Sequence, residues 1–305
     1  MSKFFNHRNG PIGALLLSLC CYLAGGAWTA FAQSSSQPQP QDVVRRYEGG
    51  RLLVIQKYSY ALLDAALERS VARYGRYKVE PVATEMSPAR LRKEVLKGDL
   101  INVVVRPPGN KEMDEGLIPI DIPLEKGLFG YRVPFIRAGD QTRLEHVRNI
   151  AGLQQLRLGT AEEYLAKAIY QHNGIEVVTA GNYGSLLLML EHGRLDVFPV
   201  GINWFLAEAE YNHYKNKYPT LAIEQHLLIH YPFAHYVYVS KSALGLSERI
   251  RYGLQEMQND GSFDRLFDKH FAQAVADLRF HQRTIIELEN PFLPAWAKIP
   301  KIKWR

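Results

Sequence analysis

Leu91-Arg-Lys-Glu-Val-Leu-Lys-Gly98-Asp-Leu-Ile-Asn-Val-Val-Val105 reads as a helix, a glycine stop and a buried strand. Leu186-Leu-Leu-Met-Leu-Glu-His-Gly193-Arg-Leu-Asp-Val-Phe-Pro-Val200 reads the same way. In each copy apolar residues recur at helical spacing, a glycine supplies the stop, and a β-branched or aromatic run follows. Upstream of each copy lies another strand-then-helix unit. The repeat predicts two similar α/β lobes in series. Two such lobes leave a cleft between them, a place to hold a small molecule.

The first lobe reads as a strand at Arg51-Leu-Leu-Val-Ile-Gln56, a helix over 60–74 and a strand over 77–82. Ser87 caps the next helix with Pro88 at its first position, and a third strand covers 101–105. The second lobe repeats the order. A strand at 156–159 is followed by a helix over 161–172 that Thr160 caps, with Glu163 completing a capping box. Then come a strand at 175–179, a helix at 183–192, a strand at 195–200 and a helix over 203–217. Strand–helix alternation predicts mostly parallel sheets flanked by helices. Two extended apolar runs, 128–136 and 227–240, read as the crossings between lobes. The expected lobes are therefore 43–134 with 228–305, and an inserted 135–227. Residues 247–271 read as two helices broken at Asp260-Gly261.

The first 32 residues stand apart. Lys3 and Arg8 make a basic start, an apolar run follows, and Ala30-Phe31-Ala32 is a small-x-small cleavage site before Gln33. This is the pattern of a secretory signal peptide. Residues 33–42 read as a flexible polar linker. Both cysteines, Cys20 and Cys21, lie within the signal, so the processed chain holds no disulfide and no thiolate. The net charge of +6 falls by two once Lys3 and Arg8 leave. That mild excess, with no basic stripe interleaved with aromatics, excludes nucleic-acid binding and accommodates an anionic ligand.

Gly159-Thr160-Ala-Glu-Glu-Tyr164, Gly193-Arg-Leu-Asp196, Val239-Ser-Lys241 and Asp260-Gly-Ser-Phe263 fall in an order that resembles bacterial periplasmic solute-binding proteins of the polar-amino-acid-binding, family 3, type. The resemblance covers about residues 51–271 and implies a two-lobed, type II periplasmic-binding-protein-like fold that closes on a ligand and feeds an ABC importer. Two departures mark a divergent member. In such proteins an arginine in a hydroxyl-rich loop after the third strand clamps the ligand carboxylate. Here the loop is Arg106-Pro-Pro-Gly-Asn-Lys-Glu112, without hydroxyls and with its arginine early. The acidic residue that would bind the ligand's amino group is replaced by Gly201.

In open parallel sheets ligands bind beyond the carboxyl ends of the strands. That rule selects Tyr58 for stacking, Arg106 for an anion, Gly159 and Thr160 at a helix start, and Asn203 for hydrogen bonding. Each has a plainer alternative: core packing for Tyr58, a salt bridge for Arg106, a helix cap for Thr160 and Asn203. His226, His230 and His235 share one segment, but no metal-ligand spacing appears. No cofactor is expected. Relatives of the fold include dehydratases and a domain of cell-wall lytic enzymes, yet no general acid stands out here, so no enzymatic role is expected. The expectation is a monomeric periplasmic protein that binds a small polar solute, anions included, and partners a membrane permease. The alternative is a non-transport sensor or interaction protein with a degenerate cleft.

Overall fold

The computed structural model describes residues 42–48, 54–206 and 208–302. The expected signal peptide, and all of the expected linker but Asp42, lie outside the described residues. The chain begins with β1 (Asp42–Tyr47), α1 (Val54–Arg69), α2 (Val71–Tyr74), β2 (Tyr77–Val82), α3 (Pro88–Lys97), β3 (Val103–Arg106), α4 (Lys111–Gly116) and β4 (Leu117–Pro119). β5 (Tyr131–Arg137) then leads into α5 (Gln141–Leu144), α6 (Ile150–Leu153), β6 (Leu158–Ala161), α7 (Leu165–His172), β7 (Val177–Ala180), α8 (Tyr183–Glu191) and β8 (Phe198–Gly201). α9 (Asn203–Leu206), α10 (Glu208–Lys217), β9 (Leu221–Ile223), β10 (Leu227–His230), β11 (Tyr236–Ser240), α11 (Leu244–Asn259), α12 (Ser262–Asp277) and β12 (Thr284–Glu287) complete it.

Two α/β halves result, each built on its own sheet. The first sheet runs β2-β1-β3-β11-β4, parallel among its first three strands and antiparallel at β11. The second runs β12-β10-β5-β8, with β9 beside β5. The β6-β7 pair joins its far side through a Leu158–Val197 bridge parallel to the strands. Both sheets mix parallel and antiparallel pairs. The repeated phrase is realised twice: Gly98 after α3 and Gly193 after α8 adopt φ of +81° and +68°, a left-handed turn that glycine takes without strain.

Three segments differ from the sequence reading. The first strand is Asp42–Tyr47, not 51–56. Asp-Val-Val-Arg-Arg-Tyr pairs in parallel with β2 along its whole length, while Val54 and Ile55 are taken into the first turn of α1. That helix buries Tyr58, Leu62, Leu63, Ala66 and Leu67 on one side, and this larger apolar face wins. Asp42, assigned to the linker, pairs instead with the fully buried Arg249 at 3.1 Å. The helix of the second half begins at Leu165 rather than 161, because Glu162 N–H continues the ladder to the Ala180 carbonyl. Residues 228–305 divide between the sheets: β10 and β12 pair in parallel in the second, whereas β11, α11 and α12 belong to the first.

The cap at Ser87 forms as expected, accepting from Arg90 N–H at 3.3 Å. The helices over 247–271 are α11 and α12, split where Gly261 turns at φ +72°. A side chain at Gly253 of α11 would meet the Ala66 carbonyl of α1, so that glycine sets how closely the two helices approach. After β12 the chain returns to the first half, where Trp296 packs edge-on against Tyr236 and Tyr238 at 5.0 and 6.0 Å.

Candidate functional site

A cavity of about 610 Å³ lies between the two halves. Small-molecule sites are roughly 300–1,000 Å³. The first half contributes the loop from Arg106 to Asn110, with Phe129 and His235. The second contributes the ends of β6 and β8, the start of α7, and Arg132 on its central strand β5. At Gly109 an added methyl would touch Leu165 at 3.4 Å, so the halves nearly meet at that edge.

The walls are largely aromatic. Trp204 stands edge-on to Tyr183 at 4.7 Å and to Phe198 at 6.0 Å. Tyr231, fully buried, stands edge-on to Tyr170 at 6.0 Å. Burial holds the Tyr170 hydroxyl well above the ordinary phenol range and raises Tyr231 and Tyr183. These phenols stay neutral at physiological pH and offer hydrogen bonds rather than bases.

Arg132 is the charge inside. In the ladder it faces Gly201 of β8 and Ile229 of β10. A methyl on Gly201 would lie 2.9 Å from Arg132 Nη1 and 2.5 Å from Asn203 Oδ1, so the bare glycine makes room for both. The guanidinium carbon sits 5.0 Å from the Tyr231 ring and 5.3 Å from that of Phe233. Burial works to lower its pKa, but the neighbouring Tyr231, Tyr170 and Tyr183 outweigh that and the net shift is upward. The side chain stays cationic.

The sequence-selected residues distribute as follows. Thr160 and Asn203 line the cavity. Thr160 does so from within β6, buried, and not as a helix cap. Arg106 also lines it, but its Nη1 is engaged by Asp114 at 2.6 Å, the salt bridge that was its alternative. Gly159 is buried in β6 against Leu195 and does not reach the cavity. Tyr58 is in the core: it lies within α1, its hydroxyl donates to the Leu124 carbonyl at 2.8 Å, and its ring packs on Phe271 at 4.7 Å. Moving the helix start back to Val54 turned a strand-end residue into an interior one. Each of the three histidines stands by a different carboxylate: His226 by Glu145, His230 by Glu287, His235 by Glu125.

Arg132, Tyr231 and Trp204 escaped the sequence reading. One signal existed. Arg132 is the single charge in the apolar run 128–136, and a lone cation in a buried strand needs a reason.

No protein-family model matches the chain, and no curated protein does. Solved structures do match. An ancestral arginine-binding protein bound to arginine shares 18% identity over 70% of this chain and 87% of its own, with a TM-score of 0.44. An amino acid ABC transporter substrate-binding protein from Streptococcus pneumoniae, bound to L-arginine, shares 15% over 75% and 91%, at 0.45. A periplasmic binding protein of Salmonella typhimurium with high arginine specificity shares 14% over 75% and 97%, also at 0.45. These are likenesses only, and the arginine named for each belongs to that protein.

Proposed function

We propose that this chain is an extracytoplasmic solute-binding protein whose two halves close on a small polar solute, anions included, for delivery to an ABC-type permease. Residues 1–32 would direct its export, β1–β4 with β11, α11 and α12 would form one lobe, and β5–β8 with β9, β10 and β12 the other. The observation that supports this reading is the cavity of about 610 Å³, lined from both halves. A ligand touching both sides favours the closed arrangement by its differential affinity for it. The reading assigns no enzymatic step, and the protein acts as a monomer in the periplasm.

A thermal-shift screen of small polar solutes against the purified protein tests it. At about a hundred times its dissociation constant a ligand adds about 2.7 kcal/mol. That raises the melting temperature by about 5 °C or more in a domain of this size. A broad screen in which nothing shifts the transition would sink the proposal.

One observation favours a second reading, a non-transport sensor or interaction protein on the same fold. Arg106 is occupied by Asp114, and Gly201 stands where an amine-binding acid is expected, so the α-amino-acid clamp is not assembled. The same failed screen, with a partner retained from periplasmic extract, would favour it.

A further inference from the structure

We propose that Arg132 anchors a carboxylate, and that the ligand is a planar aromatic monoanion without an ammonium group. The proposal rests on the solute-binding reading and names the chemistry of its site. Arg132 Nε is sealed from solvent without an acceptor. Among the described residues the side chain makes no ion pair, and the polar group nearest its donors is the Tyr231 hydroxyl, off ordinary hydrogen-bond geometry.

Two arginines with buried side chains set the comparison. Arg249 donates to Ser70 Oγ at 2.8 Å, to Asp42 Oδ2 at 3.1 Å and to the carbonyls of Gly75 and Arg76. Arg283 donates to the Leu278 and Leu227 carbonyls and lies 3.5 Å from Glu224. In both cases the fold supplies acceptors. At Arg132 it supplies the ring faces of Tyr231 and Phe233. Those contacts stabilise the charge but leave Nε without an acceptor.

Tyr231 repeats the pattern. It is fully buried and lines the same cavity, and its hydroxyl, close to Arg132 and Tyr170, makes no hydrogen bond of ordinary geometry. A carboxylate here takes a forked pair of N–H bonds from Arg132 and the O–H of Tyr231. Trp204, Tyr183 and Phe198 then flank a ring, edge or face on. An ammonium beside the carboxylate would sit close to Arg132 itself, with like-charge repulsion. Glu163, which also lines the cavity, is exposed and lies at the rim.

Calorimetric titration with 3-phenylpropanoate, 3-phenylpropanamide and L-phenylalanine separates charge from ring and from amine. The carboxylate should bind wild-type protein at least about 30-fold tighter than either analogue, the usual scale for losing one partner of a buried charged contact. Arg132→Gln should erase that preference. Ligand-free R132Q should melt no lower than wild type, because it removes a charge the fold leaves unpaired. Equal or tighter binding of L-phenylalanine, a preference that survives R132Q, or an R132Q melting well below wild type would each overturn the assignment. If no aromatic probe binds while another solute shifts the melting temperature, the assignment fails and solute binding stands; if nothing binds, both fail.

Discussion

Arg106 lies 2.6 Å from Asp114, and the carboxylate is closed on its other sides. The Tyr238 hydroxyl donates to the same oxygen at 2.9 Å, and Gly109 N–H donates to the other at 2.7 Å. The guanidinium lies over the Tyr238 ring at 4.8 Å. One carboxylate thereby ties β3, the loop that edges the cavity, α4 and β11. Its job is to hold the loop in place. Arg106→Ala is therefore expected to cost stability, about 2–4 kcal/mol for a mostly buried pair that loses one partner. Its effect on solute affinity should be indirect and smaller. Urea unfolding checks this, and an unchanged midpoint would free Arg106 for a direct role with ligand.

Asp196 is a second hub, at the turn into β8. It accepts from the Arg157 backbone N–H at 3.0 Å and from Arg157 Nε at 3.1 Å, with Arg143 at 3.3 Å. Burial pushes its pKa up, but the arginine contacts outweigh that and bring it from 3.8 down to about 2. A folded-state pKa below the unfolded one stabilises above the unfolded value, and that stability is lost as pH falls from about 4 through about 2. At 1.36 kcal/mol per unit the contribution is at most about 2 kcal/mol, reduced by solvent around the half-exposed Arg143 and Arg157. Asp196→Asn should be weaker than wild type at pH 5, and the gap should shrink by pH 2.5. Denaturation midpoints at both pH values test this; a constant gap would contradict it.

Gly253 faces the Ala66 carbonyl where α11 crosses α1. The obstacle is backbone, which cannot rotate away as a side chain can. Gly253→Ala would gain helix propensity of just under about 1 kcal/mol. Overpacking of about 1–3 kcal/mol should exceed that gain and separate the helices. A lower melting temperature is expected, and a rise would mean the interface yields more readily than its geometry indicates.

The sequence carried the doubled lobe, both glycine stops, the Ser87 cap and the paired helices α11 and α12, because each is written in local pattern. It did not carry β1. Val43-Val44 and Leu53-Val54-Ile55 are equally strand-like alone, and the choice was made by pairing with β2 and by the apolar face of α1. That one shift moved Tyr58 from the cleft to the core. That Thr160 and Asn203 line the cavity was legible from the rule of strand ends. Arg132 was not, because its role depends on acceptors being absent around it, and only packing reveals which acceptors are absent.

His230 is 3% exposed, its Nδ1 lies 2.6 Å from Glu287 Oε2, and its ring stacks on Tyr131 at 4.1 Å. These contacts join β10 to β12, the strand that brings the tail back to the second sheet. Burial lowers the imidazole pKa; Glu287 opposes this, while Lys301 and Arg132 reinforce it, and the net shift is downward from 6.5. The unfolded chain then takes up the proton first as acid is added. The stabilisation is complete above about pH 6.5 and is lost as pH falls below it. Acid should therefore loosen β12 before the rest of the sheet. Hydrogen exchange at residues 284–287 should accelerate more between pH 7 and pH 5 than the intrinsic chemistry accounts for, and His230→Gln should remove that excess. An excess that persists in the variant would assign the acid sensitivity to another group.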